Sequence, residues 1–220
     1  LEFKPGIETV YDIFTAVPEL EEREKDTAEF FFQRLLQGSD PYELCITTRD
    51  SLPRLDDALI EAQRFLAFQT LAFAVMGRNV KTIYFNDLLG LPNDYDRVEK
   101  TGELRDIKRT KVDYETLLPA LEDRDSFTSA VARGINNLIA LADSDPALHF
   151  RGREAEVIEV PGGSPCSVIL NRCGESRSIA VVNLSDKHID IDLPVGKAGF
   201  SGLDTLMDNI SAAPHRIYNS

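Results

Sequence analysis

The sequence is poor in cysteine and in basic residues. Its three cysteines, Cys45, Cys166 and Cys173, are odd in number and lie in apolar segments. They fit reduced, buried thiols of a cytoplasmic protein better than a disulfide framework. Cys166 and Cys173 have neither a CxxC spacing nor nearby histidines, so we expect no zinc site. The 24 basic residues against 37 acidic ones give a net charge of −13. That balance argues against a nucleic-acid partner, because neutralising phosphates requires a basic face.

Long apolar runs and nucleotide-binding loops are also lacking. No apolar run approaches the ~20 residues that span a bilayer, and no signal peptide opens the chain, so we expect a cytoplasmic protein without a membrane partner. No glycine-rich loop has phosphate-binding spacing, and Ser164 and Ser167 lack the context of a nucleophile elbow. We expect no bound cofactor and no metal. Because residue 1 is Leu1 rather than Met, we also expect a piece of a longer protein.

Helical periodicity is present in the first two thirds of the chain, which is 43% hydrophobic and can bury a core. Glu21–Gln37 has acids at its start and then apolar residues at three-to-four spacing, which predicts an amphipathic helix. The stretch 54–76 predicts a long helix. Beyond Gln63 its apolar residues lie around most of the circumference, so we expect that half to be buried on several sides. Tyr114–Leu121 predicts a short helix, and Asp125-Ser126 predicts the N-cap of another.

Extended structure is predicted at two places between these helices. Residues 44–47 read as a short extended segment, and 80–85 form an apolar run typical of a core strand in a parallel sheet. More than twenty residues follow that run, and we predict a loop at 86–109. Long loops without structure of their own are usually either functional or disordered. One strand among several helices cannot form a sheet, so the α/β part needs neighbouring strands that this chain does not supply.

The residue pattern of the sequence changes after about residue 152. The runs AEVIEV, CSVILNR, SIAVVNLS and HIDIDL are short and β-branched, with turn residues between them. Such spacing predicts antiparallel strands. We therefore predict an α/β part at 1–152 and a small all-β domain at 153–220.

The motifs SDPYELCIT and IYFNDLLGLPNDYDRVEKTGELRDIKRTKVDYETL, with a long helix between them, resemble the sucrose phosphorylase group of the α-amylase superfamily, glycoside hydrolase family 13. The resemblance covers roughly residues 39–160 and continues weakly beyond. It implies that 1–152 is the last part of a (β/α)₈ TIM barrel with an inserted helical segment. Thr82–Asn86 would be the eighth barrel strand and 86–109 its βα loop. Residues 153–220 would be a C-terminal antiparallel β-sandwich-like domain.

The resemblance also implies a chemistry, retaining transfer of an α-glucosyl unit to inorganic phosphate as co-substrate. The group's three catalytic carboxylates lie in an R-x-D strand end, a strand-end Glu and a His-Asp pair. We identify none of these motifs at a predicted strand end of this chain. It has no His-Asp pair; His149 lies at the end of the barrel part, and His188 and His215 follow it. We therefore predict no catalytic residue here and an inactive chain in isolation.

The resemblance implies that this chain contributes the acceptor and phosphate side of the active site, where a small carbohydrate would bind. Asp40, Tyr42 and Glu43 match a loop over the acceptor pocket, and Arg105 matches an arginine that grips acceptor or phosphate. A guanidinium suits an oxyanion because its planar fork binds bidentately. Departures from the group are Arg78-Asn79-Val80-Lys81 in place of a Gly-Val-Pro approach, and Asn86 where a histidine is common.

Several of these charged residues also have simpler structural interpretations. Asp40 fits a turn before a proline, and Arg105 with Asp106 fits a salt-bridged loop anchor. Lys108, Arg109 and Lys111 are typical of a solvated basic patch. Asp87, Asp94 and Asp96 are oxygen ligands of the kind that Ca²⁺ prefers, yet their spacing matches no calcium loop and aspartates are ordinary turn formers.

Two alternative functions follow from an incomplete barrel. The chain could be a non-catalytic remnant that binds a carbohydrate or a partner subunit, with self-association through exposed strand edges and helix faces. A second chain could also supply the missing N-terminal barrel portion.

Overall fold

The structure is a computed structural model, and it divides the chain into two compact units. One unit is Leu1–Phe65 with Ile83–Ala132, and the other is Leu66–Thr82 with Arg133–Ser220. The predicted helix at Glu21–Gln37 lies outside the described residues. The structure describes residues 45–52, 54–76, 81–149, 154–158, 166–183, 189–191, 193, 196, 205–207 and 214–216.

The first helix of the described chain, α1 (Ala58–Val75), forms where the sequence predicts one. The Asp57 carboxylate accepts hydrogen bonds from the amides of Leu59 (2.9 Å) and Ile60 (3.1 Å), so its side chain caps the helix start. Leu59 and Ile60, before Gln63, are exposed although they are apolar. In the half beyond Gln63, which we predicted to be buried on several sides, residues 64–76 are buried or half-buried except Val75, which is exposed. The buried residues of α1 are Ala62, Phe65, Gln69, Phe73 and Ala74.

By length and composition alone, α1 could cross a membrane, and it is the one helix in the described part of the chain for which this holds. Packed helices of soluble proteins pass the same two criteria, so the indication is weak. The absence of a membrane partner stays a prediction.

The apolar run 80–85 predicts a strand, and the resemblance places a barrel strand at Thr82–Asn86. Residues 81–84 have no regular structure, and α2 (Phe85–Leu89) follows directly. The carbonyl oxygen of Tyr84 accepts a hydrogen bond from the amide of Asp87 (3.0 Å). The backbone bonds locally because no strand among the described residues pairs with it. The prediction of a strand is therefore wrong at all the described residues from 81 to 86.

The predicted loop at 86–109 is mostly helical. After α2 come α3 (Tyr95–Thr101) and a 3₁₀ helix (Leu104–Lys108). The Asp94 carboxylate caps α3 by accepting from the amide of Arg97 (3.0 Å), and the Asp94 amide donates to the carbonyl of Ile107 (2.7 Å). Short capped helices thus replace the expected loop, because each is too brief to leave a periodic pattern in the sequence.

Two further helices agree with the sequence. α4 (Tyr114–Glu122) matches the predicted short helix, and α5 (Phe127–Ser144) follows it. The predicted N-cap of α5 is confirmed, since the Ser126 hydroxyl accepts from the amide of Ser129 at 3.0 Å. Phe127, Val131, Ile135 and Leu138 of α5 are buried. Their three-to-four spacing is that of a helix with one face in a core.

The predicted antiparallel strands are confirmed for β1 (Glu154–Ile158), β2 (Cys166–Cys173) and β3 (Ser176–Asn183), which form a sheet in that order. β2 and β3 are joined by a two-residue turn in which Gly174 has a φ of 60°, which glycine adopts without strain. Two short strands, β4 (Thr205–Met207) and β5 (Pro214–Arg216), pair antiparallel. The strand predicted at HIDIDL is wrong at 189–191, which have no regular structure. None of the three cysteines forms a disulfide.

Candidate functional site

A pocket of about 280 Å³ opens in the unit Leu1–Phe65 with Ile83–Ala132. Three chain segments form its walls: the turn that precedes α1, the start of α2 and the end of the 3₁₀ helix. The lining residues are Ile46, Thr47, Thr48, Tyr84, Asn86, Asp87, Lys108 and Arg109.

The first wall includes a turn at 48–51. The extended segment predicted at 44–47 is wrong at 45–47, which contain bends, and Leu44 lies outside the described residues. The amide of Ser51 donates to the carbonyl of Thr47 (3.0 Å), and the Thr47 amide donates to Oδ1 of Asn93 (2.8 Å). The buried Asp50 carboxylate accepts from the amide of Asn93 and from the guanidinium of Arg54. A buried carboxylate needs such donors, so Asp50 fixes this turn against Asn93.

Arg49 holds the same turn from its other side. Its Nε donates to the Glu61 carboxylate of α1 (2.9 Å), and its Nη1 donates to the carbonyl of Gly90 (3.3 Å). The guanidinium carbon lies 3.8 Å from the centroid of the Phe127 ring, a cation–π contact. Arg49 therefore ties Thr48 and its neighbours to α1, to the end of α2 and to α5.

The second wall depends on Asn86, which is buried. Its side-chain Nδ2 donates a hydrogen bond to the backbone carbonyl of Lys108 (2.8 Å). The backbone carbonyl of Asn86 accepts a hydrogen bond from the backbone amide of Leu91 (2.9 Å). Asn86 thus joins the start of α2 to the end of the 3₁₀ helix. In the resemblance a histidine is common at this position. Here the side-chain amide has a structural role, because its described hydrogen bond is to the backbone carbonyl of Lys108.

The third wall is backed by Asp106, a buried carboxylate of the 3₁₀ helix. Arg109 Nη1 lies 3.1 Å from its Oδ1, and Arg97 Nε lies 3.5 Å from its Oδ2. Burial would raise the pKa of Asp106. Hydrogen bonds from Thr101 and Arg109 and the charges of Arg97 and Arg109 outweigh burial, so the pKa lies below its ordinary value. Asp106 is therefore an anion that orients Arg109 beside the pocket.

Asp87 is the acidic group inside the pocket. Burial raises its pKa, and a hydrogen bond with Thr48 and the charge of Lys108 lower it by less, so the pKa lies above its ordinary value. Lys108 is half-buried beside it, and Arg109 is exposed. The reading of Lys108 as part of a solvated patch is therefore wrong, whereas Lys111 is exposed as that reading expects. Lys108 and Arg109 line the pocket together with Asp87, and the charge of Lys108 acts on the Asp87 carboxylate.

The structure finds no group of three or more metal-ligating side chains among the residues it describes. Of the aspartates considered for calcium, Asp94 caps α3 and Asp96 is exposed on α3. Asp87 faces Thr48 and Lys108 instead. These side chains act in capping and in the pocket rather than converging on one point.

The residues predicted for the acceptor side are only partly described. Asp40, Tyr42 and Glu43 lie outside the described residues. Arg105 is half-buried on the 3₁₀ helix and does not line the pocket. Its acceptor or phosphate role stays a prediction.

Sequence reasoning missed the role of Thr47 and Thr48. The signal that was available is a pair of hydroxyl residues between an apolar stretch and the charged pair Arg49-Asp50. Nothing local connects that pair to Asp87, which lies about forty residues further along the chain and reaches Thr48 only in the fold.

Comparison with known proteins relates the chain to carbohydrate phosphorylases. Three curated relatives are each named glucosylglycerate phosphorylase. The protein of Spirochaeta thermophila is 32% identical over 155 residues, which are 70% of this chain and 26% of the relative. That of Escherichia coli is 26% identical over 185 residues, 80% of this chain and 32% of the relative. That of Allomeiothermus silvanus is 30% identical over 115 residues, 51% of this chain and 20% of the relative.

The chain thus spans about a fifth to a third of the length of these relatives. No family model matches the chain. No solved structure matches it either. The relationship to phosphorylases agrees with the resemblance drawn from the motifs, at a coarser level than the sucrose phosphorylase group itself.

Proposed function

We propose that this chain is the C-terminal part of a retaining α-glucoside phosphorylase of the sucrose-phosphorylase-like type in the α-amylase superfamily. The enzyme transfers a glucosyl unit to inorganic phosphate in cytoplasmic carbohydrate metabolism. The observation that carries the proposal is the similarity of 70% of the chain to a glucosylglycerate phosphorylase at 32% identity. The expected fold of this part is the end of a TIM barrel, whose active sites lie at the C-terminal ends of the strands.

In this proposal the chain supplies the acceptor and phosphate side of the site. Asp40, Tyr42 and Glu43 contact the acceptor, and Arg105 binds an oxyanion of the acceptor or of phosphate. The nucleophile and the acid/base belong to the remaining part of the enzyme, so the isolated chain is inactive. Removing both carboxyl groups abolishes the covalent route rather than slowing it.

The test is a chimera. In the Escherichia coli relative, the 32% that this chain covers is replaced by this chain, and glucose 1-phosphate formation is measured with glucosylglycerate or sucrose plus phosphate. The chain alone is expected to be inactive and the chimera active. Turnover by the purified chain above a heat-treated control would contradict the proposal.

The role of Arg105 is tested in the same chimera. Arg105→Lys keeps the charge and removes the bidentate fork, so the KM for the phosphate or acceptor is expected to rise roughly tenfold. Arg124→Lys, at an exposed position, is the matched control and is expected to leave KM unchanged. An equal KM in the two variants would remove Arg105 from the site.

A second candidate function is a non-catalytic binding module. The observation in its favour is that Tyr84 lines the pocket while half of its surface is exposed (48%), as an aromatic platform for a sugar would be. The exposed apolar residues Leu59 and Ile60 of α1 favour a partner subunit or self-association. Analytical sedimentation of the purified chain tests the association of this binding module. A monodisperse monomer argues against a module that associates through exposed apolar residues, and a tight dimer supports it.

A further inference from the structure

We infer that the pocket between the turn before α1, the start of α2 and the end of the 3₁₀ helix binds a small oxyanion, the phosphate or the carboxylate group of a ligand. Lys108 and Thr48 make the contacts, Arg109 adds the second positive charge, and Asp87 opposes binding while it is ionised. None of these residues is among those that the resemblance assigns to the acceptor side. That the anion is phosphate or a small hydroxy acid rests on the proposed function; the anion site itself rests on the pocket.

The first argument is local charge. The chain carries a net charge of −13, yet this pocket brings together two cations and one carboxylate. Arg109 is held in place by the Asp106 carboxylate, and Arg97 adds a further positive charge behind that carboxylate. Lysine ammonium and arginine guanidinium groups are the donors that proteins use for phosphate and carboxylate groups.

The second argument is the arrangement around Asp87. The charged groups that line its surroundings are Lys108 and Arg109, and the hydroxyl of Thr48 hydrogen-bonds with it. While Asp87 is ionised, it engages both Thr48 and the charge of Lys108. Protonation of Asp87 removes that competing negative charge and lets the Thr48 hydroxyl donate to a ligand. Burial raises the pKa of Asp87, so this change begins at a higher pH than for an ordinary aspartate.

The size of the pocket fits this ligand class. A volume of about 280 Å³ holds a small hydroxylated acid or a phosphate with ordered water, and not a large cofactor. The exposed ring of Tyr84 offers an apolar wall for the carbon atoms of such a ligand.

The experiment is isothermal titration calorimetry of the full chain with sulfate, phosphate and glycerate, at about pH 5 and about pH 7.5. Sulfate keeps its charge over that range, so a pH effect on its binding reports on the protein. We expect saturable binding of sulfate that is tighter at the lower pH. Of phosphate and glycerate, the one that binds more tightly identifies the source of the oxyanion. Binding of none of the three overturns the inference.

Three variants sharpen the test, each checked for folding by circular dichroism. Lys108→Gln is expected to weaken sulfate binding roughly ten- to a hundredfold, since a charged hydrogen-bond donor is lost. Lys111→Gln removes the same charge at an exposed position nearby and is expected to change affinity less than twofold. Asp87→Asn is expected to bind sulfate at the higher pH more tightly than the unaltered chain does at that pH, because the competing negative charge is absent. Equal affinity of the two lysine variants, or a pH response that survives in Asp87→Asn, overturns the inference.

Direct measurement on the chain keeps this inference separate from the proposed function. If the chimera is inactive while the chain binds oxyanions through Lys108, the proposed function fails and the anion site stands. If the chimera is active and Lys108→Gln changes nothing, the anion site fails and the proposed function stands.

Discussion

The two units differ in how their buried polar side chains are paired. In the unit with the pocket, Asp50, Asn86 and Asp106 are buried, and each has hydrogen-bond or charge partners. The buried Nε of Arg97 in that unit has no hydrogen bond among the described residues, but it lies 3.5 Å from the Asp106 carboxylate. In the other unit, Asn171 of β2 is completely buried, and among the described residues neither its Oδ1 nor its Nδ2 has a hydrogen-bond partner. A buried amide without partners costs free energy that a satisfied one does not.

The difference shows where each unit obtains its stability. The pocket unit has short helices whose positions depend on polar bonds between distant segments, such as the bonds of Asn93 with Thr47 and Asp50. The sheet unit has continuous backbone pairing, with Val168, Ile169 and Leu170 of β2 buried. The buried residues of β2 are apolar except for Asn171. Polar bonds between segments therefore add to apolar burial, by residues such as Phe65 and Phe127, in holding the pocket unit, whereas the described core of the sheet is mainly apolar.

The largest expected effect in the pocket unit is at Gly90. Its φ of 60° is unfavourable for any residue with a Cβ, and a Cβ there would collide with the Phe127 ring. Gly90→Ala is expected to lower the free energy of unfolding by roughly 2–4 kcal/mol, from backbone strain and overpacking together. Urea denaturation measures it. Gly102→Ala is the control, with a φ of 72° and open space around the Cβ, and is expected to cost about 1 kcal/mol. Equal costs would show that the Phe127 contact contributes nothing.

A smaller effect is expected when a polar bond of the pocket unit is removed. Asp50→Ala leaves the amide of Asn93 and the guanidinium of Arg54 without their carboxylate. We expect a loss of roughly 2–3 kcal/mol in unfolding free energy, less than for a fully buried ion pair because Arg54 is half exposed. Asp56→Ala, at an exposed position, is expected to change stability by less than about 0.5 kcal/mol. If the two variants unfold at the same urea concentration, polar bonds do not help to hold this unit.

The smallest effect, with the opposite sign, is expected in the sheet. Asn171→Val removes a buried amide that has no partner and adds a side chain that favours strands. The free energy of unfolding is expected to rise by about 1 kcal/mol. Ser178→Val, opposite Asn171 on β3 and half-buried, is the control, with little change expected. A clear loss of stability in Asn171→Val alone would mean that the amide has a partner in solution, and the contrast between the units would then disappear.

Much of the fold could be predicted from local patterns. α1, α4 and α5 follow apolar spacing and N-capping residues, and β2 and β3 follow β-branched runs separated by a glycine turn. These signals lie within one segment of the chain, so no tertiary information is needed to read them. The short helices between Phe85 and Lys108 were read as loop, because five to seven residues are too few for a period to show.

The candidate site was harder to predict. The resemblance predicts Arg105 as a site residue. The local sequence predicts that Lys108, three residues later, is a solvated residue, although Lys108 lines the pocket. The apolar run 80–85 predicts a strand, which the resemblance places at Thr82–Asn86, and such a run forms a strand only when a neighbouring strand accepts its hydrogen bonds. The partition of the chain near residue 152 and the barrel itself stay predictions.

The sequence by itself determined the helices with a clear period, the antiparallel strands, the acidic character of the chain and the motifs that relate it to phosphorylases. Only the tertiary structure decided which polar residues meet. Thr48, Asp87 and Lys108 lie tens of residues apart, and the bonds of Asn86 and Asn93 between segments bring them to one pocket. The physical reason is that a helix or a hairpin forms from contacts between near neighbours, whereas a pocket forms from contacts that no short stretch of sequence contains.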